Sequence, residues 1–225
     1  RLLKEWGKDL EASAFKRVRD SIRIGVVEGE PIDSIVRRIR GTRALNFKDG
    51  ALEISRRQAQ ALVRTAVSHT TNAASEELFK QNSDIVKKVK WISTLDHSTS
   101  AVCRGRDGNV YDVGKGPRPP AHFQCRSKMV AVTKSWKELG IDLNEAPEGT
   151  RASMNGQVPA STTYNEWLKT QTAKEQDEIL GVTKGKLFRN GGLSVDRFTN
   201  RAGNELTLPE LRVKEAGAFK RAGLE

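Results

Sequence analysis

The chain has 225 residues, 36% of them hydrophobic and 30% charged, with a formal net charge of +11 and a mean hydropathy of -0.58. No apolar run approaches the roughly 20 residues a membrane helix needs, and neither low-complexity tracts nor repeats of solenoid length occur. What remains is a soluble protein with a modest core and segments that lean on a partner; no secretory leader is visible, and an intracellular product is expected. A basic excess of this size favours a polyanionic neighbour such as nucleic acid, through counterion release, or serves only as a solvated surface.

In chain order, Leu2, Leu3, Trp6, Leu10, Ala14, Phe15, Val18, Ile22 and Val26 recur at three- and four-residue spacing, which predicts an amphipathic helix ending at Gly29-Glu-Pro31. A short second helix carries Ile35, Val36 and Ile39 and stops at Gly41. After a loop, the spacing of Ile54, Ala59, Leu62, Val63, Ala66, Ala73, Ala74, Leu78 and Phe79 predicts a long helix from about Leu52 to Gln81. The pattern then turns β-branched: residues 86–95 read as a strand covered on one face, and Lys128–Thr133 as another. Asp107-Gly108 between them suits a tight hairpin turn. The Pro-, Gly- and Asn-rich stretch from Asp142 to Pro159 reads as a linker. Beyond it, Ser161, Thr162 or Thr163 can cap a helix carrying Tyr164, Trp167 and Leu168, and further short helices are expected over Lys174–Leu180 and Thr183–Arg189. A small element at Leu206–Leu211 and an Ala/Gly/Lys-rich tail follow.

The fold class expected is therefore α+β: a helical arm over 1–84, a small loop-rich β unit over 85–140, a linker over 141–160, and short helices over 161–225. None of the C-terminal pieces buries much alone, so they are expected to lie against the β unit or a neighbouring protein.

Two cysteines and three histidines are few, which makes their placement informative. His122 lies three residues before Cys125, Cys103 stands across the expected hairpin, and Asp96 ends the first strand. Thiolate, imidazole and carboxylate are the donors of a tetrahedral zinc site, and a loop-rich unit gains folding energy from such a staple. Asp96, Cys103, His122 and Cys125 are the candidate ligands of a structural zinc. A Cys103–Cys125 disulfide, or two buried thiols with a hydrogen-bonded histidine, are the alternatives. A catalytic Cys103–His122 pair lacks an obvious third group. His69, in the long helix, reads as an ordinary packed histidine, and His97 as a loop residue beside Asp96. No phosphate-binding glycine loop is present.

Charge is uneven. Between Val86 and Lys137 eleven Lys and Arg face three acids. Few aromatics are interleaved, so contact with a phosphate backbone is a better expectation than base stacking. Arg104, Arg106, Arg118, Arg126 and Lys128 are the candidate nucleic-acid contacts, expected to face outward.

The string Trp91-x-x-x-x-Asp96, Thr99 then Cys103, Asp107-Gly108, and Pro119-Pro120-x-His122-x-x-Cys125-Arg126 resembles the phage Mu F-like family of minor head proteins. Where many relatives carry a further cysteine after Cys-Arg, this chain has Ser127. Arg64-Thr65 in the preceding helix, and Tyr164-x-x-Trp167 with Ile179-Leu-Gly181 in the tail, are similar to flanking parts of relatives. The resemblance implies a few-copy component of the phage head interior, made in the host cytoplasm during procapsid assembly. Its implied partners are the portal and the major capsid or scaffolding protein, with contact to packaged or ejected DNA. Some relatives carry an added toxin or ADP-ribosyltransferase domain; no segment of that size is apparent, and no enzymatic activity is expected. The alternative is a DNA-binding protein that uses its basic surface without reading sequence.

Overall fold

A computed structural model describes residues 12–52 and 56–224. The backbone divides into two compact units, Arg1–Ser75 with His122–Cys125, and Glu76–Ala121 with Arg126–Glu225. The α+β expectation holds: helices dominate, joined by small antiparallel sheets.

In the first unit, α1 (Ala12–Val27), α2 (Ile32–Arg40) and the N-terminal part of α3 (Arg56–Gln81) share one apolar core. It takes Val18 and Ile22 from α1, Ile35, Val36 and Ile39 from α2, and Ala59, Leu62, Val63 and Ala66 from α3. The last four follow the i, i+3, i+4, i+7 pattern of a single helix face, and the alanines leave little bulk between neighbouring backbones. The expected apolar positions Leu2, Leu3, Trp6 and Leu10, the side chains of Ala14 and Phe15, and Ile54 lie outside the described residues.

The second unit is built on a three-stranded antiparallel sheet in the order β2 (Val110–Tyr111), β1 (Val86–Ile92), β3 (Lys128–Thr133). Strand β1 pairs Val89 with both Tyr111 and Ala131, and Trp91 with Met129. Val86 and Val89 are both buried although three apart. A bulge between Val86 and Lys88 shifts the phase of the strand and reconciles that spacing with a two-residue repeat. Past β1 the same alternation continues through buried Ser93 and Leu95.

Two segments depart from the sequence reading. Residues 101–106, expected as loop, form a short helix, α4 (Ala101–Arg106). Part of the stretch read as linker is a hairpin of β4 (Thr150–Ser153) and β5 (Gly156–Pro159), bridged to Leu95 through Ser153. The C-terminal helices α5 (Tyr164–Lys169), α6 (Ala173–Leu180), α7 (Val182–Arg189), α8 (Leu208–Lys214) and α9 (Ala216–Arg221) build a core of their own. Leu95 joins Tyr164, Trp167, Leu168, Leu187, Phe198, Leu211 and Phe219 in it. Each helix is too short to persist alone. Capping boxes at Thr163/Glu166, Thr172/Glu175 and Thr207/Glu210 satisfy the first amides of α5, α6 and α8.

Candidate functional site

In the second unit, the chain that follows β1 is organised around Asp107. Its side chain is fully buried beside Arg151, whose side chain is 10% exposed. One carboxylate oxygen accepts from the Ser93 amide at 2.6 Å and the other from the Tyr164 amide at 2.7 Å. Arg151 donates to both oxygens at 3.1 Å, to the Thr162 carbonyl at 2.9 Å, and to the Ser93 carbonyl. One carboxylate thus ties the end of β1, the end of α4, strand β4 and the start of α5. The sequence showed Asp107 only as a turn residue.

The next residue, Gly108, has φ +85°, and a Cβ there would meet Thr163 Cγ2 at 2.6 Å. Its amide donates to the Trp91 carbonyl at 2.9 Å. Glycine is needed here both for the left-handed backbone and for the close approach of Thr163.

Above this node sits Cys103. Ser100 caps α4 by accepting from the Cys103 amide, and the Cys103 carbonyl accepts from Ser93 Oγ at 2.9 Å and from the Asp107 amide at 3.0 Å. Ser93 Oγ also accepts from Trp91 Nε1 at 2.9 Å and lies 3.0 Å from Ser127 Oγ. Ser127 therefore belongs to a buried hydroxyl chain beneath α4.

His122–Cys125 forms a tight turn in which the Cys125 amide donates to the His122 carbonyl at 3.3 Å. Gln124, with φ 57°, donates its amide to Thr65 Oγ1 at 2.9 Å. His122 Nδ1 lies 2.7 Å from the Phe123 carbonyl. A carbonyl only accepts, so Nδ1 carries the hydrogen in this contact.

Among the described residues, Cys103, His122 and Cys125 form a group that could hold a metal ion, their ligand atoms all within 4.8 Å of one another. Both cysteines are buried thiols. Asp96, expected as a further ligand, is not in the group. Arg126 grips its carboxylate in a two-pronged ion pair, with Nη2 at 2.7 Å, and the Ser98 amide and Thr99 hydroxyl donate to it at 3.0 and 3.1 Å. Burial raises the Asp96 carboxyl, but the Arg126 hydrogen bonds and charge, with Thr99 and Ser98, outweigh it and hold the group below its ordinary value. His97 is exposed in the adjoining loop.

The basic residues singled out in the sequence are mostly engaged within the fold. Arg104 is buried and donates to the Ile179 carbonyl, at the end of α6, at 2.8 Å, so it faces inward and not outward. Arg118 binds Glu76 through Nε at 2.8 Å and Nη2 at 3.1 Å and also donates to three loop carbonyls. Burial raises the Glu76 carboxyl, and the hydrogen bonds from Arg118 and the Gly114 amide more than reverse this. Arg106 lies over the Trp91 ring at 5.3 Å from the centroid, and Lys128 is exposed at the start of β3.

A family model described as "Phage Mu protein F like protein" matches residues 16–130, just over half of the chain. The chain belongs to the phage Mu F-like family. The matched span contains the whole string from Trp91 to Arg126, with Ser93, Asp107 and the cysteine–histidine residues inside it, while Arg151 and Tyr164 of the Asp107 node lie beyond it. The C-terminal helices, with their separate core, lie beyond it. No curated protein and no solved structure matches this Mu F-like chain. No helix among the described residues is long and apolar enough to cross a membrane.

Proposed function

We propose that this chain is a minor head protein of a phage virion, acting in head morphogenesis next to the portal and to capsid or scaffolding protein, without catalytic activity of its own. The family match over residues 16–130 carries the reading. The placement of the family residues supports it. Trp91, Cys103 and Asp107 are buried; Trp91 Nε1 donates to the Ser93 hydroxyl, the Cys103 carbonyl accepts from that hydroxyl, and Asp107 accepts from the Ser93 amide, which suits a scaffold that holds its shape. Gradient-purified particles should contain the chain in a few copies per head. A chain found only among free proteins of the infected cell would refute the assignment.

A structural zinc is part of the proposal. The donor set fits: two thiolates and an imidazole nitrogen with its second nitrogen fixed by a carbonyl are ligands that zinc prefers. Tetrahedral bonds of about 2.0–2.3 Å place ligand atoms roughly 3.5–4 Å apart, and the three ligand atoms lie within 4.8 Å of one another. Cys103, Cys125 and His122 Nε2 would hold the ion, and its role would be to fasten the loop, with Asp96 left to Arg126. Contact with packaged or ejected DNA is the remaining part. Lys128, exposed at the start of β3, stays available for it, while Arg104, Arg118 and Arg126 serve the second unit's own structure and the half-buried Arg106 lies over Trp91 and donates to the Ala202 carbonyl.

A further inference from the structure

A second cluster of basic residues lies in the first unit, outside the window that the sequence singled out. Helix α2 ends at Gly41, and the chain turns through a short 3-10 segment, Arg43–Leu45, into Asn46 and Phe47, both at positive φ. The turn is closed rigidly. Asp49 accepts from the Thr42 amide at 2.8 Å and the Thr42 hydroxyl at 2.9 Å, and the Leu52 amide donates to the Ile39 carbonyl at 2.9 Å. Gly50 packs so tightly on the Arg40 carbonyl that a Cβ would come within 2.3 Å of it.

Against this turn is a cavity of about 520 Å³ lined by Arg37, Arg40, Arg43 and Arg56, with Asp33 the one acidic residue among the described residues that line it. Among the described residues, the Asp33 carboxylate pairs with Arg56 alone, at 3.6 Å, and both of those side chains are 65% exposed. Such an exposed pair is weak. Among the described residues, Arg37, Arg40 and Arg43 have no carboxylate partner. Arg40 lies 3.9 Å above the centre of the Phe47 ring, an arrangement that holds its guanidinium in place while one edge faces the cavity.

We propose that this arginine-lined cavity binds phosphate groups of a nucleic-acid backbone. The inference deepens the reading that the chain touches packaged DNA, and it rests on that reading. Guanidinium forks match phosphate oxygens in pairs. Several of them converging on one cavity suit a ligand whose charges recur at short intervals, as phosphodiesters do. The face of Phe47 toward Arg40 is covered, so a base cannot stack there, and the contact holds the backbone without reading sequence. The closed turn fixes the backbone on which Arg40 and Arg43 stand.

The test is a salt titration of duplex DNA binding by the full chain, followed by fluorescence anisotropy, for the unmodified protein and the Arg37→Gln/Arg43→Gln pair. Each lost phosphate contact makes the slope of log affinity against log salt shallower by about 0.9, so the pair should be shallower by about 1.8. The Arg37→Lys/Arg43→Lys pair keeps both charges and should keep the slope; an equal loss in both pairs would mean disrupted folding and overturn the proposal. Polyglutamate that competes as well as unlabelled DNA, charge for charge, would also overturn it, in favour of an acidic protein segment. DNA binding with an unchanged slope overturns the cavity assignment and leaves DNA contact elsewhere. No binding at low salt overturns both, and the head-protein assignment is then decided separately by particle composition.

Discussion

Replacing Asp107 with alanine should strongly destabilise the second unit. The substitution leaves the Arg151 guanidinium, at 10% side-chain exposure, without its carboxylate, and it strands the amides of Ser93 and Tyr164 that donate to Asp107 at 2.6 and 2.7 Å. Removing one partner of a buried ion pair costs about 3–5 kcal/mol, and each buried amide left without an acceptor adds about 1–3 kcal/mol. These losses overlap, because water entering the space vacated by the carboxylate can serve several groups. A net loss on the order of 4 kcal/mol is a large part of the roughly 5–15 kcal/mol that holds a domain folded. Urea unfolding followed by tryptophan fluorescence suits the measurement, since Trp91 and Trp167 are buried in this unit. Asp107→Asn keeps the shape and one acceptor oxygen and should lose about half as much. Arg151→Met alone leaves the carboxylate with its two amide donors, so the double variant Asp107→Asn/Arg151→Met should be less damaged than the two single losses added together. A loss below about 1 kcal/mol for Asp107→Ala, or strict additivity in the cycle, would refute the node as described.

Other consequences follow from the same geometry. Gly108→Ala forces a residue with φ +85° and a Cβ 2.6 Å from Thr163 Cγ2; a melting curve should show a loss of at least about 1–2 kcal/mol, and an unchanged midpoint would contradict the close approach. The folded Asp96 carboxyl lies below its ordinary range because Arg126 and its neighbours outweigh burial. A group depressed in the folded state stabilises above its unfolded pKa, so this contribution should be present at neutral pH and vanish as pH falls through the depressed value. In a carboxyl NMR titration Arg126→Gln should move Asp96 upward, and an unmoved titration would refute the pairing. Metal analysis of the purified protein should find about one zinc per chain, lost in Cys125→Ser; metal-free, fully folded protein would exclude the zinc.

Much of the architecture was legible in the sequence, and the gaps have physical causes. Strand β3 has the limits that its β-branched run indicated, Lys128–Thr133, and Val18, Ile22, Leu62 and Val63 occupy the core that their helical spacing implied. Helix α4 was not legible because six residues containing a glycine have little tendency to form a helix. Ser100 caps its start, the Asp107 amide closes its end on the Cys103 carbonyl, and the Ser93 hydroxyl, ten residues earlier in the chain, donates to that same carbonyl. The hairpin at 150–159 looks like a linker by composition, and what fastens it is Arg151 reaching Asp107, 44 residues away. Arg104 reads as a surface cation until Ile179, 75 residues distant, provides its carbonyl. The C-terminal helices each offer only one or a few large apolar side chains, and only the assembled set shows that they bury one another. At the cysteine–histidine group, Cys103, His122 and Cys125 were legible from residue type and spacing. Asp96 was misplaced there because Arg126, which holds it, is also part of the motif.

The most direct test of the central claim uses a phage with a stop codon in this gene, grown with and without the intact chain supplied in trans. Heads made without it should be few or aberrant under the electron microscope, and complementation should restore normal heads with the chain present in a few copies per particle. Normal, infectious heads that lack the chain would contradict its assignment to head morphogenesis.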